Sequence, residues 1–110
     1  MRYGLKDETI EKISSVLSGF PEVEKAILYG SRAKGNFKRG SDIDLTLFGP
    51  ALTLNVLLRI ENRIDDLLLP YHIDLSIFES ISNPDLKEHI QRVGKVFYER
   101  HGAPPLPSKP

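Results

Sequence analysis

The sequence predicts an α/β domain of the α+β type, with a small mixed β-sheet and helices packed on one face of that sheet. Segments with apolar residues at helical spacing alternate along the chain with short apolar runs typical of strands. Gly or Pro residues separate most of these segments, which marks the turns between them. We expect a single domain over residues 1–101, followed by a Pro-rich disordered tail over residues 102–110.

The N-terminal part of the chain is expected to contain a helix, a strand and a very short helix. Apolar residues at helical spacing predict the first helix over residues 7–20, with Asp7 as its N-cap. The apolar run 23–29 predicts the first strand, and residues 31–34 predict the short helix. Residues 36–40 are polar and bounded by Gly, so we expect a loop there.

Two further strands and two further helices are expected in the C-terminal part. Residues 42–48 and 71–78 alternate apolar and polar side chains, as half-buried strands do. A long helix is predicted between them over 53–69, and another begins at Asn83, which Pro and Asp follow. Residues 95–100 fit neither pattern clearly. The predicted buried stripe of the long helix consists of Leu54, Leu57, Leu58, Ile64, Leu67 and Leu68.

Composition excludes several classes of function. Fifteen Lys and Arg residues balance fifteen Asp and Glu residues, so the chain has no general attraction for nucleic acid or anionic membranes. The absence of Cys excludes disulfides, thiolate metal sites and Cys nucleophiles. The most apolar stretch, 52–69, contains five charged residues and cannot cross a bilayer. We therefore expect a cytoplasmic protein that does not associate with membranes.

Two short motifs point to phosphate chemistry. Asp42 and Asp44 open the second strand and point to the same face, about 7 Å apart along the backbone. Such a pair is explained by a divalent cation, because Mg²⁺ binds carboxylate oxygens together with substrate phosphate oxygens. The turn at Gly30 and Ser31 follows a strand and offers backbone N–H groups to a phosphate. Arg32 lies beside this turn, where its charge could also contact phosphate.

A third acidic residue, Asp74, interrupts the apolar pattern of the later strand. If the two acidic strands are neighbours, the three carboxylates could hold two divalent ions about 4 Å apart. Structural roles remain open for each residue alone: Asp42 as a cap, Asp44 or Asp74 as a surface residue, Ser31 as a helix cap. The combination and spacing of these residues favour the catalytic interpretation.

The motif resembles the signature of the DNA polymerase beta-like nucleotidyltransferase superfamily. The segment Gly-Ser-Arg-Ala-Lys-Gly, followed by Ser-Asp-Ile-Asp-Leu, is similar to the minimal nucleotidyltransferases of bacteria and archaea. Lys34 is a small departure from the family signature, because many members have Arg at this position. The resemblance implies a polymerase-beta-like fold and two Mg²⁺ ions, which Mn²⁺ could replace. It implies that the catalytic, metal-binding residues are Asp42, Asp44 and Asp74, and that the nucleotide-binding residues are Gly30, Ser31 and Arg32.

The resemblance also implies a partner. Minimal nucleotidyltransferases are typically encoded beside a helical HEPN protein, often a ribonuclease toxin. By this resemblance the chain is an antitoxin that moves AMP from ATP to a tyrosine of the toxin, within a hetero-oligomer. Two alternatives stay open: a non-catalytic module that masks the partner by contact, and a transferase acting on a small molecule or RNA. The net charge of zero makes nucleic acid an unfavourable direct substrate.

Overall fold

The structure is a computed structural model and describes residues 2–100. The predicted fold class is confirmed, since four strands form one mixed sheet that helices cover. The predicted tail, residues 102–110, lies outside the described residues. In chain order the elements are α1 (Asp7–Ser18), β1 (Lys25–Tyr29), α2 (Ser31–Lys34), β2 (Ile43–Phe48), α3 (Leu54–Asp65), β3 (Ile73–Ile77), a 3₁₀ turn (Phe78–Ser80), α4 (Pro84–Val93) and β4 (Lys95–Glu99).

The sheet has the strand order β3-β2-β1-β4. Strand β1 is antiparallel to both β2 and β4, whereas β2 and β3 are parallel. Helices α1 and α3 pack on one face, which we call the core face, and bury most of it. Burying apolar area at about 25 cal/mol per Å² makes this layer the main source of stability. The sheet residues of the core face are Ala26, Leu28, Ile43, Leu45, Leu47, Leu75 and Phe97.

The opposite face, which we call the second face, has a smaller apolar cluster. Ile27, Tyr29 and Phe48 of the sheet pack there against Ile90 of α4 and against Phe78. The sequence predicted helices on one face only, and this is wrong for α4, which lies on the second face. Helix α4 packs there because the apolar side chains of this face would otherwise be exposed to water. Beyond Phe48, the part of the second face formed by β2 and β3 carries the polar side chains of Asp44, Thr46, Asp74 and Ser76.

Side chains cap two of the four α-helices. Thr53 caps α3 by accepting a hydrogen bond from the Val56 N–H at 3.2 Å. Asn83 caps α4 by accepting from the Asp85 N–H at 2.9 Å. The prediction of Asp7 as an N-cap is wrong, since Lys6 holds that position without a side-chain bond. Asp7 lies in the first turn, where a negative charge suits the helix dipole.

The predicted buried stripe of α3 is confirmed at Ile64 and wrong at Leu54, Leu58 and Leu68. The buried residues are Val56, Ile60 and Ile64, one turn apart along the helix. Leu54 and Leu58 are 68% and 50% exposed, because each lies about 200° around the helix from a buried neighbour two residues away. Helix α3 ends at Asp65, earlier than predicted. Leu68 follows with a positive φ of 53° and is 88% exposed.

The unassigned segment 95–100 contributes β4, which pairs with β1 at the edge of the sheet. A strand at this position depends on partners far away in sequence, which local patterns do not reveal. Within residues 2–100, no helix has both the length and the apolar character needed to cross a bilayer.

Candidate active site

Two of the three predicted acidic residues face each other across paired strands. Asp44 on β2 is the register partner of Asp74 on β3, and the strands are parallel neighbours. Since Ile43 and Leu45 point into the core face, Asp44 projects from the second face. Asp42 precedes β2, whose first residue is Ile43, and its side chain is exposed. The structure therefore places an acidic pair at one end of the second face, with a third carboxylate two residues before it.

The charges of these carboxylates act on each other. Burial raises the pKa of Asp44 above its ordinary value, and the neighbouring charges of Asp74 and then Asp42 raise it further. The imidazoles of His72 and His89 lower the pKa of Asp44 and so offset part of this rise. Two negative charges held together at a half-buried position cost free energy in the absence of a compensating cation.

The Gly30 turn lies directly against the acidic pair. Gly30 has φ 74° and ψ −156°, a conformation that is essentially restricted to Gly. A Cβ atom added at Gly30 would collide with Oδ2 of Asp44. The sequence therefore needs Gly here for two independent reasons, the backbone conformation and the close approach to the carboxylate.

The Gly30 backbone N–H already has a partner. It donates a hydrogen bond to Nε2 of His89 on α4 at 3.3 Å. The His89 ring also packs edge-to-face on Tyr29, with ring centroids 6.3 Å apart. A phosphate oxygen bound to this N–H would take the place of the imidazole nitrogen.

Sequence reasoning missed both Tyr29 and His89 as neighbours of the acidic pair. Tyr29 is the register partner of Asp44 on β1, and burial, with Asp74 and Asp44 adding to it, raises the pKa of its phenol. The position of Tyr29 directly before Gly30 was a usable signal, because the strand must end at the site. For His89 no local signal exists, since its place depends on how α4 packs.

Arg32 does not have the predicted placement beside the phosphate site. Its side chain is buried, at 3% exposure, and its guanidinium donates to the backbone carbonyls of Ser41 and Tyr3. A guanidinium engaged in this way has no free face to offer a nucleotide. The predicted role of Arg32 in nucleotide binding is corrected to a structural one.

A cavity of about 440 Å³ lies between α3 and β3, away from the acidic pair. Its lining includes Glu61, Asp65, His72 and core-face residues of β3, but none of the three predicted catalytic carboxylates. The site assignment therefore depends on the acidic pair and the Gly30 turn, which lie on the other side of the sheet.

Comparison with protein families gives the identity of the fold. The profile of the family described as "Polymerase beta, Nucleotidyltransferase" matches residues 11–102, most of the chain. The chain belongs to this family. The predicted family, fold and enzyme class, a nucleotidyltransferase, are thereby confirmed.

Individual proteins similar to this nucleotidyltransferase are consistent with the family assignment. A Methanocaldococcus jannaschii protein named "putative protein adenylyltransferase" is 32% identical over 85 residues, which cover 76% of this chain and 86% of that protein. A structure of a toxin-antitoxin with AMP-PNP gives a TM-score of 0.65 at 22% identity, covering 87% of this chain and 75% of that chain. A structure of a tri-AMPylated Shewanella oneidensis HEPN toxin in complex with MNT antitoxin gives a TM-score of 0.65 at 18% identity. The match covers 88% of this chain and 75% of that chain. These two structures establish a shared fold.

The donor set of this nucleotidyltransferase fits a hard cation such as Mg²⁺. Carboxylate oxygens without sulfur ligands suit Mg²⁺, and a cation would relieve the repulsion at Asp44. Within residues 2–100, no three acidic, His or Cys side chains already surround one point closely enough to hold a metal. Binding would thus require the exposed side chains of Asp42 and Asp74 to turn toward Asp44.

Proposed function

We propose that this chain is a Mg²⁺-dependent adenylyltransferase that moves AMP from ATP to a tyrosine hydroxyl of a HEPN-type toxin, and so acts as its antitoxin. The observation that carries the proposal is the pairing of Asp44 with Asp74 against the Gly30 turn, in a chain of the nucleotidyltransferase family. The M. jannaschii relative, named as a protein adenylyltransferase, and the toxin-antitoxin structures that share the fold support the choice of acceptor.

The proposed roles follow from position. Asp42, Asp44 and Asp74 would hold Mg²⁺, two ions if all three carboxylates take part. The Gly30 and Ser31 turn would orient the phosphates, with the Gly30 N–H released from His89. Bound Mg²⁺ would neutralise phosphate charge and lower the pKa of the attacking hydroxyl. The tyrosine hydroxyl would give its proton to solvent as its oxygen bonds to the α-phosphorus. The α–β phosphoanhydride bond would break, and its electron pair would leave with pyrophosphate.

The acceptor is expected to be a folded protein because the acidic pair lies on an open part of the second face. Asp74 is exposed, and α4 covers only the β1 side of that face. An enzyme gains much of its rate by holding both reactants in place, so the acceptor must supply the missing contacts.

The experiment is co-expression with the product of the adjacent gene, size-exclusion chromatography, and intact-mass analysis with ATP and Mg²⁺. We expect co-elution, a gain of one or more AMP units on the partner, and loss of that gain when its tyrosines are replaced by Phe. Co-elution without a mass change would overturn the catalytic proposal in favour of masking by contact. A mass change on RNA or a small molecule, with none on the partner, would overturn the choice of acceptor.

The Gly30→Ala variant should lose most transfer activity. The added methyl meets Oδ2 of Asp44, and a positive φ with extended ψ costs Ala about 1–3 kcal/mol. We expect a lower melting temperature and at least a tenfold slower transfer at temperatures where the variant is folded, measured by intact mass.

Gly35→Ala is the matched control. Gly35 also has a positive φ, 87°, but a Cβ there would meet nothing within 4 Å. This variant should lose about 1 kcal/mol of stability and keep its transfer rate. Equal transfer rates for the two variants would mean that the approach of Gly30 to Asp44 has no functional role.

A further inference from the structure

We propose that Arg32 is a positioning residue that fixes Asp42 for metal binding; this inference rests on the proposed function. The Arg32 guanidinium donates twice to the Ser41 carbonyl, from Nε at 3.1 Å and from Nη2 at 2.8 Å. It donates once more to the Tyr3 carbonyl, from Nη1 at 2.8 Å. Ser41 is bonded directly to Asp42, so the fork holds the peptide that carries this ligand.

Two aromatic rings hold the guanidinium in place. Its central carbon lies 5.2 Å from the Phe37 ring centroid and 5.1 Å from that of Tyr71. A Cβ at Gly4 would collide with the Phe37 ring and reach within 3.0 Å of Nη1 of Arg32. Parts of the chain far apart in sequence are thus packed around one buried cation, which leaves Arg32 little freedom to move.

The position of Arg32 explains why the site needs this support. Arg32 lies in α2, immediately after the Gly30 turn, and it bonds the residue before Asp42. It therefore joins the two halves of the motif, although residues 36–40 between them are mostly exposed. Asp42 itself precedes β2 and lacks the strand pairing that holds Asp44. Asp42 is the ligand whose backbone most needs an additional tether.

Lys cannot replace this arrangement, because its single ammonium lacks the planar fork that donates from two nitrogens to one carbonyl. Loss of an outer contact that orients a metal ligand typically weakens metal binding 10–100-fold. We expect Arg32→Lys to weaken Mn²⁺ binding about tenfold, to raise the Mg²⁺ concentration needed for half-maximal transfer, and to lower kcat while KM for ATP changes little.

Arg100→Lys is the matched control. Arg100 also donates to three backbone carbonyls, those of Val23, Ser18 and Phe20. These carbonyls lie at the end of α1 and in the loop that leads to β1, with none of the motif residues among them. This variant should lose thermal stability as Arg32→Lys does, while its Mn²⁺ affinity and transfer rate per folded molecule stay at the wild-type value.

The test is titration of Mn²⁺ by calorimetry into the wild-type protein and both Lys variants, together with thermal melts and transfer assays. A tenfold weaker Mn²⁺ affinity in Arg32→Lys alone supports the inference, and equal affinities in the two variants overturn it. Wild-type protein that binds no Mn²⁺ would overturn the proposed function itself. Should Arg32→Lys fail to fold, Phe37→Leu carries the test, because it removes one of the two rings that hold the Arg32 guanidinium in position for its bonds to the Ser41 carbonyl. Unchanged Mn²⁺ affinity in Phe37→Leu would then overturn the inference.

Discussion

Replacing Asp44 with Asn is expected to slow nucleotidyl transfer by roughly 10³-fold, without lowering the melting temperature of the metal-free protein. A catalytic metal supplies several kcal/mol of transition-state stabilisation. The loss of about 4 kcal/mol corresponds to roughly a thousandfold in rate. Asn has nearly the shape of Asp, so the second face keeps its packing while the proposed metal ligand loses its charge.

The expected stability follows from the raised pKa of Asp44, which burial and the charges of Asp74 and Asp42 produce. A group with a raised pKa in the folded state contributes stability only while it is protonated, and the contribution is lost as pH rises through the folded pKa. At neutral pH the ionised Asp44 therefore costs the metal-free protein stability, and Asn removes that cost. The advantage of Asn should shrink as pH falls toward 3.8, the ordinary value for Asp.

Thermal melts in chelator between neutral pH and pH 3.8 measure the change in stability, and transfer assays measure the change in rate. Asp65→Asn on α3 is the control, because Asp65 is exposed and lies outside the acidic pair. We expect this variant to keep full activity. A melting temperature for Asp44→Asn far below that of the wild type at neutral pH would show that Asp44 has a structural role, such as capping the turn at Gly30.

The acidic pair could be predicted because it depends on short-range rules. Alternation along a strand puts Asp44 and Asp74 on the polar face of their strands, and a helix between two strands allows them to be parallel neighbours. The register that makes the two residues direct partners is a property of the folded sheet. The sequence therefore predicts that the two carboxylates can lie close together, and the structure gives the strand register that makes them neighbours.

Arg32 and His89 show where local reasoning fails. Arg32 lies next to the predicted phosphate-binding turn in sequence, yet its bonds go to Tyr3 and Ser41, which only the fold brings near. His89 has no neighbouring ligand residue in sequence, yet it accepts a hydrogen bond from the Gly30 N–H. In both cases the contact that sets the position of the side chain joins residues far apart in sequence. Adjacent residues therefore gave a misleading indication for Arg32 and no indication for His89.

The leucines of α3 illustrate a different failure. The helix carries apolar residues over much of its circumference, so more than one stripe satisfies helical spacing. Packing against the sheet selects the stripe of Val56, Ile60 and Ile64, and leaves Leu54 and Leu58 exposed. Periodicity predicts that a helix exists, but here it does not determine which side of that helix is buried.

ATP binding is expected to be about a hundredfold weaker in chelator than with Mg²⁺. The phosphates must approach the acidic pair, since Gly30 lies against Asp44. Two like unit charges about 6 Å apart repel by roughly 3 kcal/mol at an effective dielectric constant near 20. That energy corresponds to about two orders of magnitude in Kd, and it disappears when a cation lies between the charges. Calorimetry with ATP in EDTA and in Mg²⁺ measures the difference directly.

The double variant Asp44→Asn, Asp74→Asn separates repulsion from a general effect of Mg²⁺ on ATP. If the acidic pair causes the weak binding in chelator, this variant should bind ATP in EDTA more tightly than the wild type does. It should also gain little from added Mg²⁺, because two of the three proposed ligands are gone. Equal affinity of the wild type in EDTA and in Mg²⁺ would contradict the metal-dependent site. A double variant that still gains a hundredfold from Mg²⁺ would show that the cation reaches the protein as part of the nucleotide, without help from Asp44 and Asp74.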